Sequence, residues 1–230
     1  ARSYHELAFR HLNHGRIRLV LIGGGPGSGK STIAERVATE LGAAWIRSDE
    51  VRKDVAGVAH DAHAFEQPDQ GLYAPSVSAR TLEEMERQTK ALLQQGMSVV
   101  LDATWRTAED RNALRSLGAE AAARVTELQC VLPVSVAKER IARRMASVYN
   151  PSDATPELVD YLAERFDEWP EATPVDTNQP LAASLADAVQ ALYLTTQPQA
   201  QGPDQPPMRF AIDLARLRNA VLIRRGLARR

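Results

Sequence analysis

RLVLIGGGPGSGKST, residues 18–32, runs from an apolar segment through a glycine loop into the start of a helical pattern. Within it Gly24–Ser31 fits G-x-x-x-x-G-K-[ST], in the context that motif needs, a strand before and a helix after. Closely spaced glycines let backbone N–H groups curl around a phosphate without Cβ clashes, and the N-terminus of the next helix adds partial positive charge. The candidate nucleotide-binding residues are therefore Gly24, Gly25, Pro26, Gly27, Ser28, Gly29, Lys30, Ser31 and Thr32. Lys30 is placed for the β and γ phosphates and Ser31 for Mg²⁺. A dinucleotide fingerprint, G-x-G-x-x-G, fails, because its third glycine position falls on Ser28 or Lys30.

Outward from this loop, residues 17–194 alternate short apolar runs with helical periodicities, the pattern of an α/β fold with a parallel sheet covered by helices. Strands are expected at 18–22, 44–47, 98–101, 124–132 and 175–177. Helices are expected at 31–41, 78–95, 134–145, 156–167 and 181–194, and Thr107 with Asp110 resembles a capping box opening another. Residues 146–155 form a polar loop. The expected organisation is an N-terminal lead-in (1–16), one domain (17–194), a linker (195–207) carrying four Pro and four Gln, and a basic amphipathic helix (208–230).

With 230 residues, 44% hydrophobic and 25% charged, the chain is an ordinary globular one and not a disordered or disulfide-stapled one. Its net charge of −1 is a cancellation: 208–230 hold seven Arg against one Asp, leaving an acidic body. The tail is expected to dock on that body or another domain; an acidic partner or an anionic membrane are the other readings. No apolar run reaches the roughly 20 residues of a membrane helix and no signal core opens the chain, so the expected location is cytoplasmic. The lone Cys130 reads as a buried small hydrophobe. His5, His11, His14, His60 and His63 lack metal-site spacing and read as surface residues. No basic–aromatic interleaving indicates a nucleic-acid groove, and Trp45, Trp105 and Trp169 read as core, with Trp105 also a possible pocket wall. Starting at Ala1 without Met fits a processed chain or a piece of a longer polypeptide.

A magnesium nucleotide needs a carboxylate near the metal, and Asp102, ending the apolar run VVL, is the candidate, the alternative being an Asp that begins a turn. Asp49, after the second strand, is the candidate general base for a substrate hydroxyl; alternatively it or Ser48 caps a helix. Arg140 and Arg144, at i, i+4, share a helix face that can close as a lid spanning about 140–157, or are solvated; Arg143 points elsewhere. Arg52, Arg106 and Arg111 join Asp49 as candidate substrate-binding residues, with surface ion pairs as the alternative for the last two.

The blocks LVLIGGGPGSGKST, IRSDEVRKDVAG, GLYAPSVSARTLEEM, GMSVVLDATWRTAEDR, RIARRM and PSDATPE together resemble small P-loop kinase-like ATP-binding domains of the AAA type. Their relatives include gluconate kinases, chloramphenicol phosphotransferases, zeta toxins and polynucleotide kinase domains. The likeness covers about residues 17–194. It is greatest to the ATP-binding half fused behind aminoglycoside-phosphotransferase-like domains. The resemblance implies a P-loop NTPase three-layer αβα sandwich, a five-stranded parallel sheet of order 2-3-1-4-5 and a helical lid. It further implies ATP as phosphoryl donor with Mg²⁺, a small-molecule acceptor, and a fused or docked phosphotransferase-like domain as partner. It supports Lys30 and Ser31 at phosphates and metal, Asp49 as base, Asp102 near Mg²⁺, and Arg140 and Arg144 as lid arginines. Ser147–Pro151 departs from the pattern by lacking a glycine and extra charged residues. The expected function is γ-phosphoryl transfer to a hydroxyl of a sugar, an aminoglycoside-like molecule or a nucleic-acid end. A nucleotide-dependent switch is the alternative.

Overall fold

The computed structural model describes residues 16–60, 70–145, 159–160, 162 and 165–194. All belong to one unit, Ala1–Thr196. Residues 1–15 of the lead-in, residues 146–157 of the lid, the linker, the Arg-rich tail and His63 lie outside the described residues.

Five strands, β1 (Arg18–Gly23), β2 (Ala44–Arg47), β3 (Val99–Asp102), β4 (Arg124–Val131) and β5 (Thr173–Asp176), form one parallel sheet of order β2-β3-β1-β4-β5. The expected topology is the observed one. β1 is buried at all six positions, which is why it reads as a continuous apolar run without alternation: both faces are covered. Its side chains still alternate. Val20 and Ile22 face a core with Ile33, Val37 and Leu192, whereas Leu19 and Leu21 face a second core with Val51, Met85, Leu101 and Leu114.

The first core is closed by helices α1 (Lys30–Leu41) and α6 (Leu181–Leu194). The second is closed by α2 (Ser48–Ala56), α3 (Pro75–Gln94) and α4 (Ala108–Glu120). This is a three-layer αβα sandwich. α5 (Val134–Met145) contributes Ala137 and Ile141 to a small third cluster with Val159. No helix among the described residues is long and apolar enough to cross a membrane.

Several boundaries differ from expectation for local reasons. α3 starts at Pro75, whose fixed φ suits the first helical position, three residues before the expected start. α2, and a 3-10 turn at Gly71–Tyr73, were not expected as elements; α2 is nine residues long, too short for apolar periodicity to stand out. The fifth strand lies two residues earlier than expected, at Thr173–Asp176. Residues 166–169 are not helical, so the helix expected at 156–167 ends sooner. Thr107 does cap α4, its side chain accepting the Asp110 N–H at 3.2 Å.

Candidate functional site

Register decides what meets at the carboxyl edge of the sheet. Ile22 pairs with Asp102 and Asp102 with Arg47, so the ends of β1, β3 and β2 stand level. The glycine loop leaves β1 at that level, and α2 begins there with Ser48 and Asp49. One cavity of about 540 Å³ opens here. It runs from the loop (Gly27, Lys30, Ser31) past Asp49 to α3 (Thr81, Met85).

Backbone geometry explains the glycines. Gly27 has φ 74°, and a Cβ there would sit 2.6 Å from the Ala137 carbonyl oxygen. Gly24 has φ 141°, and a Cβ there would meet the Cys130 carbonyl oxygen at 2.6 Å. The loop is therefore folded tightly onto β4 and α5, with Gly24 N–H donating to the Thr104 carbonyl at 3.4 Å and Ser28 N–H to the Gly25 carbonyl at 3.2 Å. Gly29, at φ 80°, is the N-cap of α1 and supplies no side-chain cap, so the first amides of that helix remain available to an anion.

Asp102 is 3% exposed, beside Lys30 and hydrogen-bonded by the Ser31 side chain. Burial pushes its carboxyl above the usual range, with the Lys30 charge and the Ser31 hydrogen bond opposing. Its Oδ1 is buried with no hydrogen-bond partner, and so is Ser28 Oγ. An orphaned carboxylate oxygen next to a serine hydroxyl is a hard oxygen donor set of the kind Mg²⁺ takes, with its remaining positions left to water and phosphate. Among the described residues no group of three or more His, Cys, Asp or Glu is placed to hold a metal by itself.

Asp49 lies in the first turn of α2, 3.3 Å from Arg52, and lines the cavity. The N-cap is Arg47, so neither Ser48 nor Asp49 takes that position. Arg52 and Arg106 also line the cavity. So does Arg144, near the end of α5. Its neighbour on the same face, Arg140, instead donates to the Thr177 carbonyl at 2.7 Å and stands behind Gly29. Arg143 pairs outward with Glu139.

Arg111 is placed elsewhere than a substrate residue would be. It is 1% exposed and donates to the carbonyls of Trp105 (2.9 Å) and Glu168 (2.6 Å), with its guanidinium over the Trp169 ring. Its three acceptors, the carbonyls of Trp105, Arg106 and Glu168, and the ring come from other segments, so in sequence it looks like any arginine after Asp102. Trp105, 4% exposed, serves both as core and as cavity wall. Cys130 is buried, and His60 pairs with Asp54 on the surface at 2.7 Å.

Some cavity residues were not singled out by spacing. Arg47 stacks on Trp45 and Tyr73 lies under Arg52. Arg47 carried a signal, being the last residue of a strand that ends level with Asp102; Tyr73 carried none, since it reaches the site through a 3-10 turn. Thr177 also joins the site from behind, donating to the Ser28 carbonyl at 2.7 Å.

Residues 19–169 match the family described as AAA domain. An uncharacterized protein of Mycobacterium tuberculosis strain H37Rv is 35% identical over 185 residues, 79% of this chain and 36% of that protein. The same figures hold for one from Mycobacterium bovis, so the chain spans about a third of the length of these relatives. Among solved structures, a gluconokinase from Sinorhizobium meliloti 1021 superposes with TM-score 0.56 at 19% identity, over 78% of this chain and 93% of that one. The Mycobacterium tuberculosis APS kinase CysC in complex with AMPPNP and APS gives 0.56 at 18%, over 77% and 98%. Chaetomium thermophilum Kti12 in complex with ADP-AlF3 gives 0.56 at 19%, over 76% and 98%. At such identities these structures speak to the fold alone, which this chain shares with them. The chain belongs to the AAA-domain family.

Proposed function

We propose that this domain binds ATP with Mg²⁺ and transfers the γ-phosphoryl group to a hydroxyl of a small-molecule acceptor. The observation that carries the reading is the convergence of Lys30, Ser31, Asp49 and Arg144 on one cavity, with Asp102 buried against Lys30 and Ser31.

Backbone amides of Gly27, Gly29, Lys30 and Ser31 cradle the phosphates, and the Lys30 ammonium neutralises charge on the β and γ groups. Ser31 and Asp102 hold Mg²⁺, which when bound offsets charge on the phosphate oxygens. Asp49 accepts the acceptor's hydroxyl proton as the new O–P bond forms and the bond to the ADP oxygen breaks. Arg144 adds positive charge over the transferring group; Arg140 fixes the loop from behind through Thr177. The charge of these groups lies in a partly enclosed site, where it acts more strongly than in water.

Incubation with ATP, Mg²⁺ and a panel of hydroxyl compounds, reading ADP release and acceptor phosphorylation together, tests this. Stoichiometric phosphorylation of one acceptor class is expected. ATP binding and hydrolysis with no acceptor modified would move the assignment to a nucleotide-dependent switch. Because the chain spans only 36% of its curated relatives' length, a fused or docked phosphotransferase-like domain belongs to the same proposal.

A further inference from the structure

We propose that the acceptor carries an anionic group, a carboxylate or a phosphate, beside the hydroxyl that is phosphorylated, and that Arg47, Arg52 and Arg106 receive it. This names the acceptor class for the kinase reading above and rests on it.

Five cations line the cavity, Lys30, Arg47, Arg52, Arg106 and Arg144, against the carboxylates of Asp49 and Asp110. Lys30 and Arg144 serve the nucleotide phosphates, which leaves three guanidiniums on the acceptor side. Two of them are held in an unusual way. Arg47 lies 5.0 Å from the centre of the Trp45 ring and Arg52 5.0 Å from the centre of the Tyr73 ring. Both have an Nε buried without any hydrogen-bond partner. Their existing ion pairs use other nitrogens: Arg47 Nη1 to Glu50 at 2.5 Å, and Arg52 Nη1 to Asp49 at the longer 3.3 Å.

A guanidinium packed over a ring keeps its N–H groups in its own plane, and that plane matches a carboxylate or phosphate presenting two oxygens. Buried donors without acceptors are costly, so a native site with two such Nε groups is short of acceptors. The Nε atoms themselves are sealed from the cavity, but both guanidiniums line it, and an acceptor anion there meets a site rich in donors. A neutral polyol leaves them less well matched, and a cationic aminoglycoside sets ammonium groups among guanidiniums. Leu82 and Met85 give the carbon skeleton an apolar wall. The cavity, about 540 Å³ and shared with the triphosphate, is of the size that holds a small acceptor.

The test reads binding, with the phosphate loop already filled by AMPPNP and Mg²⁺. Thermal protection is titrated with a six-carbon aldonate and with a hexose 6-phosphate, each against the parent neutral hexose; an aminoglycoside and a 5′-hydroxyl oligonucleotide complete the set. At least one anion is expected to bind about tenfold or more tighter than its neutral twin, and the two anion arms separate carboxylate from phosphate. In Arg52→Gln or Arg47→Gln that ratio falls toward one, and in Arg52→Lys it is intermediate. Equal protection by the neutral twin, stronger protection by the aminoglycoside or oligonucleotide, or an unchanged ratio in both Gln variants overturns the proposal. The wild-type twin comparison stands even if a variant fails to fold. Absence of phosphoryl transfer in a parallel assay, with anion protection intact, counts against the kinase reading and not against the anion site.

Discussion

Arg111 Nη1 donates to the Trp105 carbonyl at 2.9 Å, and this bond holds a residue whose backbone is left-handed, at φ 53°. A non-glycine residue in that region costs of order 1–3 kcal/mol and persists only where its surroundings impose it. Here they do. The same guanidinium donates to Glu168, and the Asp167 N–H donates to the Arg106 carbonyl at 3.0 Å, so the β3–α4 loop and the segment entering β5 are bolted together. That loop carries Trp105 and Arg106 into the cavity wall.

Arg111→Lys therefore acts on stability. A lysine cannot serve two carbonyls in the guanidinium plane, and leaving a buried carbonyl unpaired costs about 1–3 kcal/mol. Calorimetry is expected to show the melting temperature lowered by roughly 4–10 °C. A substrate contact would instead raise KM for the acceptor with the melting temperature unchanged.

Gly27→Ala is expected to lower ATP affinity by about tenfold to a hundredfold in isothermal titration, because the new methyl meets the Ala137 carbonyl oxygen at 2.6 Å in a left-handed backbone. A Cβ at Gly25 meets nothing within 4 Å, so Gly25→Ala leaves the melting temperature of the free protein in place.

Asp49→Asn removes the proton acceptor while leaving the phosphate loop intact. The expected result is a fall in kcat of about 10²–10⁴ with ATP affinity retained. A kcat within a few fold of the wild type would remove Asp49 from the base role.

Burial pushes the Cys130 thiol up to about 12 from its ordinary 9.0. The folded chain thus keeps a proton that the unfolded chain releases. Cys130's contribution is complete below about pH 9 and declines as pH rises toward 12, by up to about 1.4 kcal/mol per pH unit. The difference between wild type and Cys130→Ala in denaturant melts is expected to shrink over that window. At pH 8 a thiol reagent should label the folded protein only as fast as it opens.

Most of the sheet and the glycine-loop end of the cavity were legible because each rests on local pattern. A buried parallel strand is an unbroken apolar run, and the glycine loop is specified by spacing, so Lys30, Ser31 and Asp102 follow from chain order. The acceptor side was less legible, since its residues arrive from α2, a 3-10 turn, α3 and the β3–α4 loop. Arg111 and Arg106 illustrate the limit: both follow Asp102 by a few residues, yet one lines the cavity and the other is sealed beneath it. Only the path of the segment around Trp169, 58 residues beyond Arg111, separates the two.

The Thr177 hydroxyl that braces the Ser28 carbonyl comes from 149 residues further along the chain. β1 likewise pairs with β3 about 80 residues away before it has a neighbour on its other side. Contacts of such separation form late, since closing long loops is paid for before the contacts that reward it. During synthesis the phosphate loop is made early and completed last, when β5 and the turn after it have left the ribosome. A nucleotide bound at this loop would therefore act on the finished fold, stabilising by mass action a site that is whole only once the segment after β5 is in place.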